Sequence, residues 1–118
     1  MLQIEQKTAG SGITVLELNG RLALGRESQR LEDLVKKLRS EGASRIVLDM
    51  AGVDYMDSAG LGILTTCFAT LKNAGGALRV AGAAGRPREL LRFTHLDTII
   101  PIDSNVEQAA GKLVGGAA

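Results

Sequence analysis

The chain has 118 residues, and its 14 basic and 13 acidic side chains leave a net charge of +1, without the basic excess that steers a protein to nucleic acid or anionic lipid. Its aromatic residues are Tyr55, Phe68 and Phe93, too few for a base-stacking platform, and a single cysteine, Cys67, excludes an intrachain disulfide framework. The length fits one domain over residues 1–118, ordered from about 2 to 113 and followed by a flexible tail.

The start shows no basic region followed by an apolar one, so no signal peptide is expected and the cytoplasm is the default location. The longest charge-free segment, Ser58 to Leu71, is shorter than the roughly 20 apolar residues that span a bilayer, so no membrane insertion is expected.

Leu2, Ile4 and Gln6 alternate with polar neighbours and predict a first strand, ended by a glycine-rich turn from Thr8 to Gly12. Ile13 to Leu18 predicts a second strand, making a hairpin with the first. From Arg26 to Arg39 the period changes: Leu31, Leu34, Val35 and Leu38 share one face of an amphipathic helix. Arg45 to Asp49 predicts a third strand, and the unbroken Ile46-Val47-Leu48 indicates burial on both faces, as at the centre of a sheet. Ser58 to about Ala74 predicts a second helix ended by Gly75-Gly76. Ala77 to Val80 reads as a fourth strand, and a third helix follows with Pro87 near its first position. Thr98 to Ile102 predicts a fifth strand. Ser104 and Glu107 form a capping box for a last helix through Val106, Ala109, Ala110 and Leu113, and Gly115 to Ala118 is expected to fray. Strands alternating with helices after a hairpin define an α/β domain with a small, mixed, mostly parallel sheet of about five strands and about four helices.

The segment of greatest chemical interest joins the third strand to the second helix. Ser58 has a residue type favoured at an N-cap, where its oxygen meets an unpaired backbone N–H, and the positive end of the helix dipole tolerates a phosphate there. Asp49, Asp54 and Asp57 precede it. Their spacing does not make a metal cage, so no metal or cofactor is expected; a structural role is favoured instead, with Asp57 at the helix N-terminus and Asp54 folding the loop onto backbone amides. The second helix is apolar almost all round, which leaves open deep burial or an exposed docking patch beside Ser58.

Asp49 at the end of an apolar strand, followed by Asp57-Ser58-Ala59-Gly60-Leu61-Gly62-Ile63-Leu64, resembles the phosphorylation-site signature of anti-sigma-factor antagonists, the stand-alone STAS domains. The resemblance runs from about Ile4 to Lys112 and agrees with helices packed on a small mixed sheet. It implies a regulator of transcription by partner switching. Unphosphorylated, such a protein binds an anti-sigma factor that is also an ATP-dependent serine kinase and so frees the sigma factor; phosphorylation, here of Ser58, switches binding off, and a serine phosphatase restores it. The partner-binding residues implied are Asp57, Ser58, Ala59, Gly60, Leu61, Gly62 and Leu64. The chain departs from the family at Ala23, where many members carry an acidic residue near the phosphorylation site.

An enzyme is the first rival reading. A serine hydrolase needs a base, but His95 is the sole histidine and is placed at the end of the third helix, and Ser58 lacks the preceding glycine of a nucleophile elbow. Gly60-Leu-Gly62 has Thr65 where a dinucleotide loop has its third glycine. The second rival is a STAS subunit of a lipid-transporting ABC system, which would use much the same helix surface. Arg79, Arg86, Arg88 and Arg92 are expected to be a solvated helix face rather than a nucleic-acid site.

Overall fold

The computed structural model describes residues 1–10 and 12–115. Five strands form one sheet in the order β1-β2-β3-β4-β5: β1 (Leu2–Thr8), β2 (Thr14–Leu22), β3 (Arg45–Met56), β4 (Ala77–Ala81) and β5 (Ile102–Asp103). β1 and β2 are the expected antiparallel hairpin, and every later pairing is parallel. The helices between them are α1 (Arg26–Ser40), α2 (Ser58–Asn73), α3 (Gly85–Phe93) and α4 (Val106–Gly115). The fraying expected of the tail falls largely on 116–118, outside the described residues.

The alternation of side chains along a strand divides the core in two. Leu16, Leu48 and Val80 point to one face of the sheet and join Leu31 and Val35 of α1, Leu64 and Leu71 of α2 and Leu91 of α3. Their neighbours Val15, Val47 and Ala81 point to the other face, where Ala109 and Leu113 of α4 cover them. Ile46, Val47 and Leu48 are all fully buried, as the unbroken apolar run in β3 predicts.

Three strands differ from their sequence reading: β2 runs on to Leu22, four residues past the expected Leu18, and β3 and β5 depart further. β3 continues seven residues past Asp49 because it is bulged: between Glu17 and Asn19 of β2 its pairing advances from Asp49 to Gly52, and between Gly20 and Arg21 it advances from Val53 to Tyr55. The bulges bring Met50, Val53 and Met56 to the same core at a three-residue spacing, so the alternation that marks a strand is lost. The hydrogen bond that steadies the first bulge comes from Asp49, whose Oδ1 accepts the Ala51 N–H at 3.1 Å. That is the amide-binding role expected of Asp54, which is instead exposed on β3.

The fifth strand is shorter and later than expected. Leu96–Thr98 is a 3₁₀ turn, Ile100 drops into the core while Ile99 stays exposed, and Pro101, which has no N–H, contributes its carbonyl to Val80 before β5 begins. The cap of α4 is also displaced by one residue: Asn105 Oδ1 accepts the Gln108 N–H at 2.9 Å, and Gln108 Oε1 accepts that of Ser104 at 3.4 Å.

Candidate partner-docking site

Because β2, β3 and β4 are parallel, the connections leaving their C-terminal ends lie along one edge of the sheet. One carboxylate joins two of them. Asp57, in extended conformation, is the N-cap of α2: its Oδ1 accepts the Gly60 N–H at 2.9 Å and its Oδ2 accepts the N–H of Leu24, on the β2–α1 connection, at 3.2 Å. The Gly60 amide first, with that of Leu24 adding, outweighs desolvation and holds this carboxyl below its ordinary range.

The sequence reading gave the cap to Ser58; the structure gives it to Asp57. A cap at Ser58 would accept the N–H of Gly60 or Leu61, but the side chain of Asp57 takes the first and its carbonyl takes the second, at 3.0 Å. Ser58 is therefore the first residue of α2, and it is exposed.

The other residues of the motif divide by orientation. Ala59 is half-buried, while Gly60, Leu61 and Leu64 turn into the core. A Cβ on Gly60 would lie 2.0 Å from the Leu22 carbonyl oxygen and 3.0 Å from Met56 Cγ, so its missing side chain lets α2 sit directly on the end of β2. Gly62 is exposed, with nothing within 4 Å of where its Cβ would be. The apolar side of α2 is thus mostly committed to the core, and the surface it offers is narrower than the motif implies: Ser58, Gly62 and Thr65 line it, one helical turn apart.

One exposed residue of this edge escaped the sequence reading. Leu24 is 86% exposed although apolar, and its backbone is fixed: its own N–H is held by Asp57, and that of Ala23 donates to the buried Ser28 Oγ at 3.0 Å. The alternation Leu22, Leu24 would place both in the core, but β2 ends at Leu22 and the chain turns Leu24 outward. Ala23 is half-buried and brings no carboxylate to the edge.

Tyr55 marks the same end of the sheet. The Arg21 guanidinium, from the paired position on β2, lies 4.0 Å from the ring centroid, and that of Arg86, in the first turn of α3, lies 5.4 Å from it.

Three further residues fall elsewhere. His95 follows the last turn of α3 in the left-handed conformation, φ 61°, and its N–H returns to the Arg92 carbonyl, so it closes the helix rather than serving Ser58. Cys67 is fully buried, which pushes its thiol up to about 12. Arg79 does not belong to the α3 surface: it grips Asp103 of β5 at 2.7 Å, and Lys112 of α4 reaches the same carboxylate at 2.6 Å. Among the described residues, no three metal-ligating side chains converge and no helix is long and apolar enough to cross a membrane.

The family profile for the STAS domain matches residues 6–109, and the chain belongs to that family. It is 28% identical over 117 residues to an anti-sigma F factor antagonist of Paenibacillus polymyxa, covering 95% of each chain. Its fold is that of an anti-sigma factor antagonist from Mycobacterium paratuberculosis, with a TM-score of 0.80 at 20% identity over 94% of this chain and 92% of the other. It is also that of the Bacillus cell-fate determinant SpoIIAA in the phosphorylated form, with a TM-score of 0.72 at 18% identity over 94% and 99%.

Proposed function

We propose that this STAS domain is an anti-sigma-factor antagonist whose partner binding is switched by phosphorylation of Ser58. The observation that carries the reading is the placement of one exposed hydroxyl at the start of α2, beside the exposed Leu24, on an edge fixed by Asp57. Unphosphorylated, the edge docks an anti-sigma factor that is an ATP-dependent serine kinase and frees its sigma factor in the cytoplasm. The kinase transfers phosphate to Ser58 and the complex separates; a serine phosphatase resets the site. Ser58 is then a substrate hydroxyl, and the domain itself is not a catalyst.

The physical requirement is modest. A hundredfold loss of affinity corresponds to about 2.7 kcal/mol. A phosphoserine carries about −1.5 to −2 charges, and one unit charge facing another at about 4 Å with an effective dielectric near 20 is worth about 4 kcal/mol. Charge and bulk on an open face therefore suffice, with no refolding: α2 begins at Ser58 whether or not its oxygen is modified, because Asp57 makes the cap.

The test is capture from source-cell lysate on the wild-type chain and on Ser58→Asp. Recovery of a small kinase-fold ATPase by the wild type alone is expected. Equal recovery of an ABC transporter complex by both chains would replace the switch with a transport-subunit role.

A further inference from the structure

We propose that Arg21 and Arg86, gathered on the ring of Tyr55, form a receptor for the carboxylates of an acidic protein partner docking over Ser58. The proposal rests on reading this edge as the docking surface, and it adds the chemistry of what docks.

Both guanidiniums lie over one phenol ring, at 4.0 and 5.4 Å from its centroid. They come from different elements: Arg21 from the end of β2, where it pairs with Tyr55 just past the second bulge, and Arg86 from the first turn of α3. Their meeting is therefore set by the packing of α3 against β3, not by a local loop. Two like charges brought to one ring repel unless an anion lies between them, and among the described residues neither arginine forms an ion pair. Asp54, the neighbour of Tyr55, is exposed and engages neither, while Asp57 is occupied by backbone amides. Both arginines are exposed, and a guanidinium edge without an ion pair is matched to a carboxylate, which it binds through two parallel hydrogen bonds.

The location gives the pair its role. Arg21 precedes Leu22 and Ala23, and the next residue, Leu24, is bonded to the cap of Ser58's helix. The surface thus has an apolar knob, Leu24, a small-residue face at Ser58 and Gly62, and a basic flank at Arg21 and Arg86. The carboxylate that the family resemblance implies at position 23 is missing, and the charge at this end of β2 is instead positive. A partner fitted to it presents acidic side chains. Phosphorylation of Ser58 then places an anion on the edge that an acidic partner must approach, which links the sign of the receptor to the direction of the switch.

The test uses the full unphosphorylated chain and a tetra-aspartate peptide, followed by NMR at the arginine Nε–Hε groups in low salt. Saturable shifts at Arg21 and Arg86 that exceed those at Arg88 and Arg92 are expected, and Arg21→Gln with Arg86→Gln should weaken binding by about tenfold or more, since each substitution removes a charge-assisted pair. The wild-type spectra decide the matter even if the double variant folds poorly. Uniform shifts at all exposed arginines, or none, would overturn the receptor. A chain carrying phosphoserine at position 58 supplies the other arm: if its Arg21 and Arg86 signals have already moved to the bound position without peptide, the pair serves the internal phosphate and the partner assignment fails. The titration contains no kinase, so its outcome is independent of the lysate capture on Ser58→Asp.

Discussion

Gly60 and Gly62 lie two residues apart in the same helix, and substituting each by alanine should move stability in opposite directions. At Gly62 the added methyl enters open space. Alanine is better than glycine inside a helix by about 0.5–1 kcal/mol, which for a domain of this size raises Tm by about 2–5 °C. At Gly60 the same methyl would lie 2.0 Å from the Leu22 carbonyl oxygen and 2.9 Å from its carbon. Those are backbone atoms at the end of β2 and cannot rotate aside, so α2 or the strand end must shift. Overpacking of this kind costs about 1–3 kcal/mol, more than the helix gain returns. Urea unfolding monitored by circular dichroism, with calorimetry on the same samples, measures both. A Gly60→Ala protein as stable as the wild type would refute the direct seating of α2 on β2; a destabilised Gly62→Ala would refute the open face. The second variant also probes docking: a more stable protein that binds its partner less well would show that the partner backbone approaches at Gly62.

Replacing Asp57 by alanine removes the cap and the tie to Leu24 together, and should cost about 1 kcal/mol in urea unfolding while exchange of the Leu24 and Gly60 amides accelerates; unchanged amide exchange would place the cap elsewhere. Asp103 is fully buried as a side chain: burial alone would raise its carboxyl, but Arg79 and then Lys112 outweigh this and hold it below the ordinary carboxylate value. Its contribution is thus present above the unfolded-state value of about 3.9 and lost as pH falls through the lower folded one. Amides of α4 should accordingly be the first to lose protection on acidification, an order that Asp103→Asn abolishes. Cys67, with its thiol pushed up to about 12 by burial, should react with a thiol reagent at pH 8 only as fast as the domain opens; reaction at the rate of a free thiol would contradict its placement.

The sequence revealed the parts of this fold whose residues face one consistent environment. The doubly buried run of β3 and the single apolar face of α1 were legible for that reason. The second half of β3 was not, because the bulges set its buried residues Met50, Val53 and Met56 three apart, which is neither the alternation nor the unbroken apolar run by which a strand is read. At both α2 and α4 the capping residue was misplaced by one position because two residues able to cap stand side by side, Asp57 with Ser58 and Ser104 with Asn105. Which of them accepts the helix amides depends on where the preceding strand delivers the chain. Ser58 was legible through its motif, while Leu24 was not, since an apolar residue in alternation with a strand carries no mark of being outside.

The carboxylate of Asp57 has a consequence for how such a domain changes over generations. It fixes the edge by gripping main-chain amides, and those are present whatever side chains stand at positions 24, 58 and 62. The outward residues can drift without disturbing the scaffold that presents them. Duplicated copies of the domain within one cell can therefore diverge in the proteins they engage while folding remains intact, and signalling lines can be insulated from one another by a handful of surface substitutions.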